Sequence, residues 1–200
     1  MSEHHIPWDR LLIRTGFNVV RRGDCVDFSS ERHGNRFLFK RLCKKVRVAV
    51  RFREGCFRPE SLTFDERAWL AAYDEIHGGK EAGEPWLETR QVELYICDAY
   101  IAGIVRWLIA AGLRTTMSCD GHGKSLPYID FADPLDASAF RAYLKMRNPI
   151  PDPNQSLLVN PRFPVEQKSP SYDRCWLLDL AEDLYAAGET LRTLRKQIAI

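Results

Sequence analysis

Nine consecutive residues carry most of the chemistry that can be read from this chain: Thr115-Thr116-Met117-Ser118-Cys119-Asp120-Gly121-His122-Gly123. A thiol, a carboxylate, an imidazole and hydroxyls stand beside two glycines. Cys119 and His122 are three residues apart, close enough to share a metal ion or a proton. Gly121 and Gly123 allow the backbone to turn with positive φ and to approach a ligand closely.

Three site chemistries and one structural reading are open. In the first, the loop binds a phosphate or nucleotide-like ligand through its amides. Ser118, Asp120, Gly121, Gly123 and Lys124 would form the ligand-binding turn, with Lys124 as counter-charge and His122 as a hydrogen-bond partner. In the second, Cys119 and His122 are half of a zinc site, completed from among His77, Asp98, Asp130 and Cys175. In the third, Cys119 is a nucleophile activated by His122, with no orienting third residue to name. The structural reading is a tight turn around a buried cysteine. The five histidines stand at 4, 5, 33, 77 and 122, so none follows His122. That removes zinc peptidases that need a later histidine, and HExxH, P-loop, GxSxG and GxGxxG patterns are also missing.

The segment Val92–Asp130 resembles the helix-then-strand region of the tRNA wybutosine-synthesising methyltransferase family. That family's signature is Ser-Ser-Cys-Ser-Gly-Arg after a Thr-Thr pair. Thr115, Thr116, Ser118, Cys119 and Gly121 match it, while Met117, Asp120 and His122 replace Ser, Ser and Arg. The segment is also similar to phage and bacterial proteins with a Ser-Cys-x-Gly-His turn. The resemblance implies a ligand-binding turn and an RNA or nucleotide partner. S-adenosylmethionine is not expected, because His122 stands where the signature has Arg; zinc is the cofactor that the Cys119/His122 pair admits.

Charge gives a second, separate signal. From Arg21 to Arg53 there are eleven Lys/Arg and three acids, leaving +8 there and −6 on the remainder of the 200 residues. Such asymmetry suits a polyanion, although a solubilising face has the same composition. Val46, Val48, Val50 and Phe52 alternate with Lys45, Arg47 and Arg51. This pattern predicts a strand with one buried and one basic face, and makes Lys45, Arg47 and Arg51 candidate nucleic-acid contacts.

The elements that must position these residues follow from periodicity. Strands are expected at 11–20, and at 25–29 and 36–42 as a hairpin. Thr63-Phe64-Asp65-Glu66 predicts a helix over 64–77, followed by a polar connection over 78–85. The apolar pattern over 87–111 predicts one long helix closed by Gly112 at its C′ position. On it, Asp98 either faces the Ser118–Gly123 turn, where it joins Cys119 and His122 as a catalytic candidate, or pairs with Arg106. His77 is expected to cap its own helix or to act as a ligand. A strand–loop–strand hairpin over 114–131, a helix over 137–147 and a last helix over 174–199, capped by Asp173, complete the chain. Six of eleven prolines lie in 148–170, which reads as an extended connector.

The fold class expected is α/β or α+β: a single domain with a mixed sheet and a hairpin at 114–131, covered by three or four helices. Composition is that of a globular chain, 45% hydrophobic and 28% charged. Six unpatterned cysteines and the absence of a signal-like leader point to a cytoplasmic protein with free thiols and no membrane partner. Three functions are expected in competition: a phosphate-ligand or RNA-associated protein acting at Ser118–Lys124, a nucleic-acid-binding or regulatory protein using the basic face, and a small zinc-dependent enzyme.

Overall fold

A computed structural model describes residues 5–77, 92–148, 155–160 and 173–199. The elements run β1 (His5–Pro7), α1 (Trp8–Arg14), β2 (Val20–Arg22), β3 (Cys25–Asp27), α2 (His33–Lys45), β4 (Phe52–Arg53), β5 (Cys56–Phe57), β6 (Thr63–Asp65) and α3 (Glu66–His77). A 3-10 turn at Leu94–Ile96 follows. Then come α4 (Ala102–Ala110), β7 (Thr115–Cys119), β8 (Tyr128–Phe131), α5 (Pro134–Arg147), β9 (Leu158–Val159), α6 (Cys175–Ala186) and α7 (Gly188–Ile198). The class is α+β. The single mixed sheet is replaced by three small sheets, ordered β1-β6, β2-β3-β5-β4 and β7-β8-β9. Only the last mixes directions: β7 and β8 form the expected antiparallel hairpin, and β9 joins β8 in parallel. Among the described residues, seven helices rather than three or four accompany them.

The apolar residues of the first half are read best at helical spacing. Trp8, Leu11 and Leu12 are buried on one face of α1, so residues 11–14 are helix and not strand. Leu38, Phe39, Leu42 and Cys43 do the same for α2, which replaces the expected strand over 36–42. These residues surround Phe17, Phe28, Phe57, Trp69 and Tyr73 in one core cluster. Rings there meet edge-on, as between Phe39 and Phe57 with centroids 5.0 Å apart.

The basic strand is the clearest correction. Alternation over 45–52 is real in burial: Val46, Val48, Val50 and Phe52 are half-buried against the core, and Arg47 and Arg51 are exposed. No strand forms over 46–51, because α2 runs through Lys45 and Arg47 takes a positive φ of 60°. The Lys45, Arg47 and Arg51 side chains therefore belong to a helix end and a loop, not to a sheet face.

The long helix expected over 87–111 is also interrupted, and residues 87–91 lie outside the described ones. Side chains from α2 and α3 capture the backbone of 94–95. Asn35 Oδ1 accepts from Leu94 N at 2.9 Å, and Tyr73 Oη donates to Leu94 O at 2.6 Å. Helix α4 begins afresh at Ala102, whose amide donates to Asp98 O. It ends as expected, with Gly112 at φ 90°.

Helix α4 belongs to two cores. Ala102 and Val105 face the aromatic cluster; Ile104 and Leu108 face a second one containing Phe131, Phe140, Leu177 and Leu180. Arg106 is buried too. Its partner is Glu31 at 3.4 Å, not Asp98. Glu31 also accepts from Asn18 N, Arg32 N and Asn35 Nδ2, so this buried carboxylate is fully bonded.

At the C-terminal end, Asp133 caps α5 through Leu135 N, and Asp173 accepts from Cys175 N at the start of α6. The last helix divides at Ala187–Gly188. The N-cap expected at Thr63 is displaced to Asp65, which accepts from Arg67 N at 3.0 Å. Of the proline-rich 148–170, residues 149–154 and 161–170 lie outside the described ones, as does the 78–85 connection. Among the described residues, no helix is long and apolar enough to cross a membrane.

Gly103 shows how closely α4 is held. A Cβ built there would lie 2.2 Å from Arg14 O and 2.7 Å from Ala181 Cβ. Gly103→Ala must push α1 and α6 away from α4. The expected cost is about 3 kcal/mol, at the upper end of ordinary overpacking. A urea titration checks it; an unchanged midpoint would mean that the close approach is not maintained in solution.

Candidate functional site

The site is built where the chain enters α4 and where it leaves β7. Because α4 starts at Ala102, Asp98 lies in the bent segment before it and not on a helical face. Strand β7 delivers Cys119 at its last paired position, opposite Tyr128. The next residues form a tight turn. Gly121 has φ 76°, and a Cβ on it would sit 3.2 Å from Leu126 C and Pro127 N. His122 is also left-handed at φ 50°, a conformation that a non-glycine residue adopts only when its surroundings hold it. What holds it is Asp120: its Oδ1 accepts from His122 N at 2.8 Å and lies 3.4 Å from His122 Nδ1.

The result is convergence. One donor atom each from Asp98, Cys119, Asp120 and His122 lies within 4.8 Å of all the others. His122 Nε2 stands 3.5 Å from Cys119 Sγ and 3.9 Å from Asp98 Oδ2. Asp120 has a different position in the group. Its side chain is fully buried, and its second oxygen accepts from Arg174 Nη1 at 2.7 Å. Asp120 is held from behind by the Arg174 cation, whereas Asp98 Oδ2, though it accepts from the Asp120 amide, faces His122 Nε2, which in turn faces Cys119 Sγ.

Behind them stands a supporting layer. His77 Nε2 lies 3.0 Å from Asp98 Oδ1, and His77 Nδ1 faces Tyr95 O at 3.2 Å. With acceptors at both nitrogens, the imidazolium is favoured: the Asp98 hydrogen bond raises the His77 pKa and outweighs burial. Burial pushes the Asp98 carboxyl up, but His77, the Asp120 amide and His122 outweigh it and hold it below the usual carboxylate range. The Arg174 guanidinium stacks over Tyr100, 4.0 Å from the ring centroid, and also reaches Asp74 at 3.7 Å. It ties α6 to the turn.

Five amides of the turn have partners within the protein. Asp120 N donates to Asp98 Oδ2, Gly121 N to Cys119 Sγ, and His122 N to Asp120 Oδ1. Lys124 N and Ser125 N both donate to Gly121 O. These donors, which an anion cradle would need, are thus engaged, and those of Asp120, Gly121 and His122 point at the thiol and the carboxylates. A group with two carboxylates and a thiol is suited to a cation. Without one, burial and the neighbouring carboxylates push the Cys119 thiol up to about 12, despite the opposing Gly121 amide. A cysteine nucleophile needs the opposite environment.

Several expected residues lie apart from this group. Ser118 neighbours Cys119 along β7 and so projects to the other face of the strand, opposite Ile129 in the register. Lys124 is exposed and pairs with no carboxylate among the described residues. Asp130 and Cys175, considered as further ligands, are not in the group. Asp98 does face the turn. His77 neither caps its helix nor joins the donor atoms; it holds Asp98. Arg174 and Tyr100 were not anticipated. Arg174 lies 54 residues from Asp120, and no local pattern marks it.

No protein-family model, curated protein or solved structure matches this chain.

The buried Asp120–Arg174 pair gives a test of the site's framework. Arg174→Ala leaves a fully buried carboxylate without its cation and should cost about 3 kcal/mol. Adding Asp120→Asn to that variant removes the uncompensated charge and should recover a large part of the loss. A double-mutant cycle by chemical denaturation reads the coupling directly; purely additive losses would show that the two residues do not support one another.

Proposed function

We propose that this protein is a metal-dependent enzyme whose ion is held by Asp98, Cys119 and His122. The observation that carries the reading is the convergence of three chemically different donors, with their amides and carboxylate supports already in place. Two ligands on a tetrahedral zinc, at roughly 2.3 Å for sulfur and 2.0 Å for nitrogen, lie about 3.5 Å apart. Cys119 Sγ and His122 Nε2 are separated by 3.5 Å. A thiolate with an imidazole and one carboxylate is a set that favours zinc over magnesium or calcium.

Three protein ligands would leave a fourth position for water or substrate, and His122, whose side chain is 60% accessible, would give it access to solvent. An ion so held supplies a water of lowered pKa for attack on an electrophilic carbon or phosphorus. The chain's own residues then have distinct tasks. Asp120 orients the His122 ring through Nδ1 and leaves Nε2 to bind, the usual role of a carboxylate behind a metal-bound histidine. His77 orients Asp98. The Gly121 amide donates to Cys119 Sγ and supports its thiolate form. His122 and Lys124, both exposed, would border the approach of a substrate.

Equilibrium dialysis against zinc, followed by metal analysis, tests the site. One ion per chain is expected. With cobalt(II) in its place, a thiolate-to-metal absorption band should appear. Cys119→Ser and His122→Ala should lose the ion and remain folded by circular dichroism, and Ser118→Ala should keep it. His77→Gln should weaken binding by roughly ten- to hundredfold, as removal of a supporting partner does. Wild-type protein that takes up no zinc, or a Cys119→Ser variant that binds as tightly, would refute the proposal.

A further inference from the structure

Helix α2 presents a surface that the metal proposal does not use. Its thirteen residues include five Lys/Arg and no acid. Lys40, Arg41, Lys44 and Lys45 are exposed, as are Arg47 and Arg51 in the loop that follows. Lys45 pairs with Glu75. No carboxylate among the described residues pairs with Lys40, Arg41, Lys44, Arg47 or Arg51. A solubilising face ordinarily mixes both signs. The helix dipole accounts for a preference for cations in the last turn, at Lys44 and Lys45, but not for Lys40, Arg41, Arg47 and Arg51.

Aromatic rings stand among these cations. Phe37 is 59% exposed, one turn before Arg41 on the same face. Phe52 is half-buried, with Lys40 Nζ 5.3 Å from its centroid. The rings and cations line three neighbouring concavities, which share Lys44 and Phe52. An open groove of about 720 Å3 has Phe37, Arg41, Lys44 and Arg47 on one side and Glu75 and Ile76 on the other. Lys44 also lines the adjoining groove, with Lys40, Val48 and Phe52. Phe52 in turn borders a cavity of about 830 Å3 where the charge becomes mixed: Arg51, Arg53 and Arg58 line it together with Asp27, Glu54 and Glu60, so the cationic track ends at Arg51.

We infer that this track binds single-stranded nucleic acid, with the exposed Phe37 as a stacking platform and Arg41, Lys44, Arg47 and Arg51 as phosphate contacts. Bases in a single strand expose their faces, and aromatic side chains in a cationic groove accept them with little regard to sequence. A duplex keeps its bases stacked on each other and gains nothing from Phe37. An anionic membrane or an acidic protein would meet the same cations, but a groove with an exposed ring one turn from Arg41, rather than a flat basic face, fits a strand whose bases can stack.

Fluorescence anisotropy with labelled single-stranded oligo-uridine and oligo-thymidine, across a salt series, tests this. The full chain is measured before and after removal of divalent ions with a chelator, so the result does not depend on the metal proposal. Four phosphate contacts on a single strand predict a log–log salt slope of about −3. Arg41→Ala, Lys44→Ala and Arg47→Ala should each reduce its magnitude by about 0.7. Phe37→Ala should weaken binding on the order of tenfold at every salt concentration and leave the slope unchanged. Because Phe37 is exposed, its replacement does not disturb the core. Tighter binding of the uridine than of the thymidine strand would assign the track to RNA, and the reverse to DNA. Equal binding of a duplex, an unchanged affinity in Phe37→Ala, or capture only by phosphatidylserine vesicles would overturn the inference.

Discussion

Helix α4 has almost no surface to give to water. Ala102, Gly103, Ile104, Val105, Arg106, Trp107 and Leu108 are all buried, and they are shared between two clusters that would otherwise be separate. A helix enclosed on so many sides cannot slide or rotate without losing contacts in both cores. Its two ends are therefore fixed points. One end carries the bent segment with Asp98, and the other leads through Gly112 into β7 and Cys119. The donor group forms because both ends of one rigid element are brought to the same place by the strand that follows it.

That arrangement requires the chain before α4 not to be helical. Had 94–101 continued the helix, the carbonyls of Leu94 and Tyr95 would be satisfied within it. Instead Tyr73 and His77 of α3 bind them from outside, and Asn35 of α2 takes the Leu94 amide. The same His77 that takes Tyr95 O holds Asp98. Packing of α2 and α3 is thus coupled to placement of a site carboxylate. Buried charges follow one rule throughout: Glu31, Asp120 and Asp98 each have a cationic partner and amide donors.

The two surfaces proposed to function differ in their physics. The donor group is small, negatively charged and surrounded by oriented dipoles, as a metal requires. The α2 track is extended, positively charged and open, as a flexible polyanion requires. Helix α3 contributes to both, giving Glu75 and Ile76 to the track and His77 to the support of Asp98.

Some of this was present in the residues alone. Thiol, imidazole and carboxylate spaced as Cys119, Asp120 and His122, with glycines that permit left-handed backbone, mark the turn without reference to its neighbours, because that geometry is local. The β7–β8 hairpin, α5, the Gly112 terminus and the +8 excess over 21–53 were legible for the same reason. Period two over 45–52 gave the correct burial and the wrong element. Alternation tells which side chains face the core, but a strand also needs a partner to take its hydrogen bonds, and 46–51 has none in the sheets. Short apolar runs such as 11–14 and 36–42 fit either period, and burial against Trp69 and Phe17 selected helix. Tertiary structure alone decided that Asp98 leaves its helix, that Arg106 pairs with Glu31, and that Arg174 neutralises Asp120 from 54 residues away. Those outcomes depend on which buried charges meet, and no spacing along a chain records that.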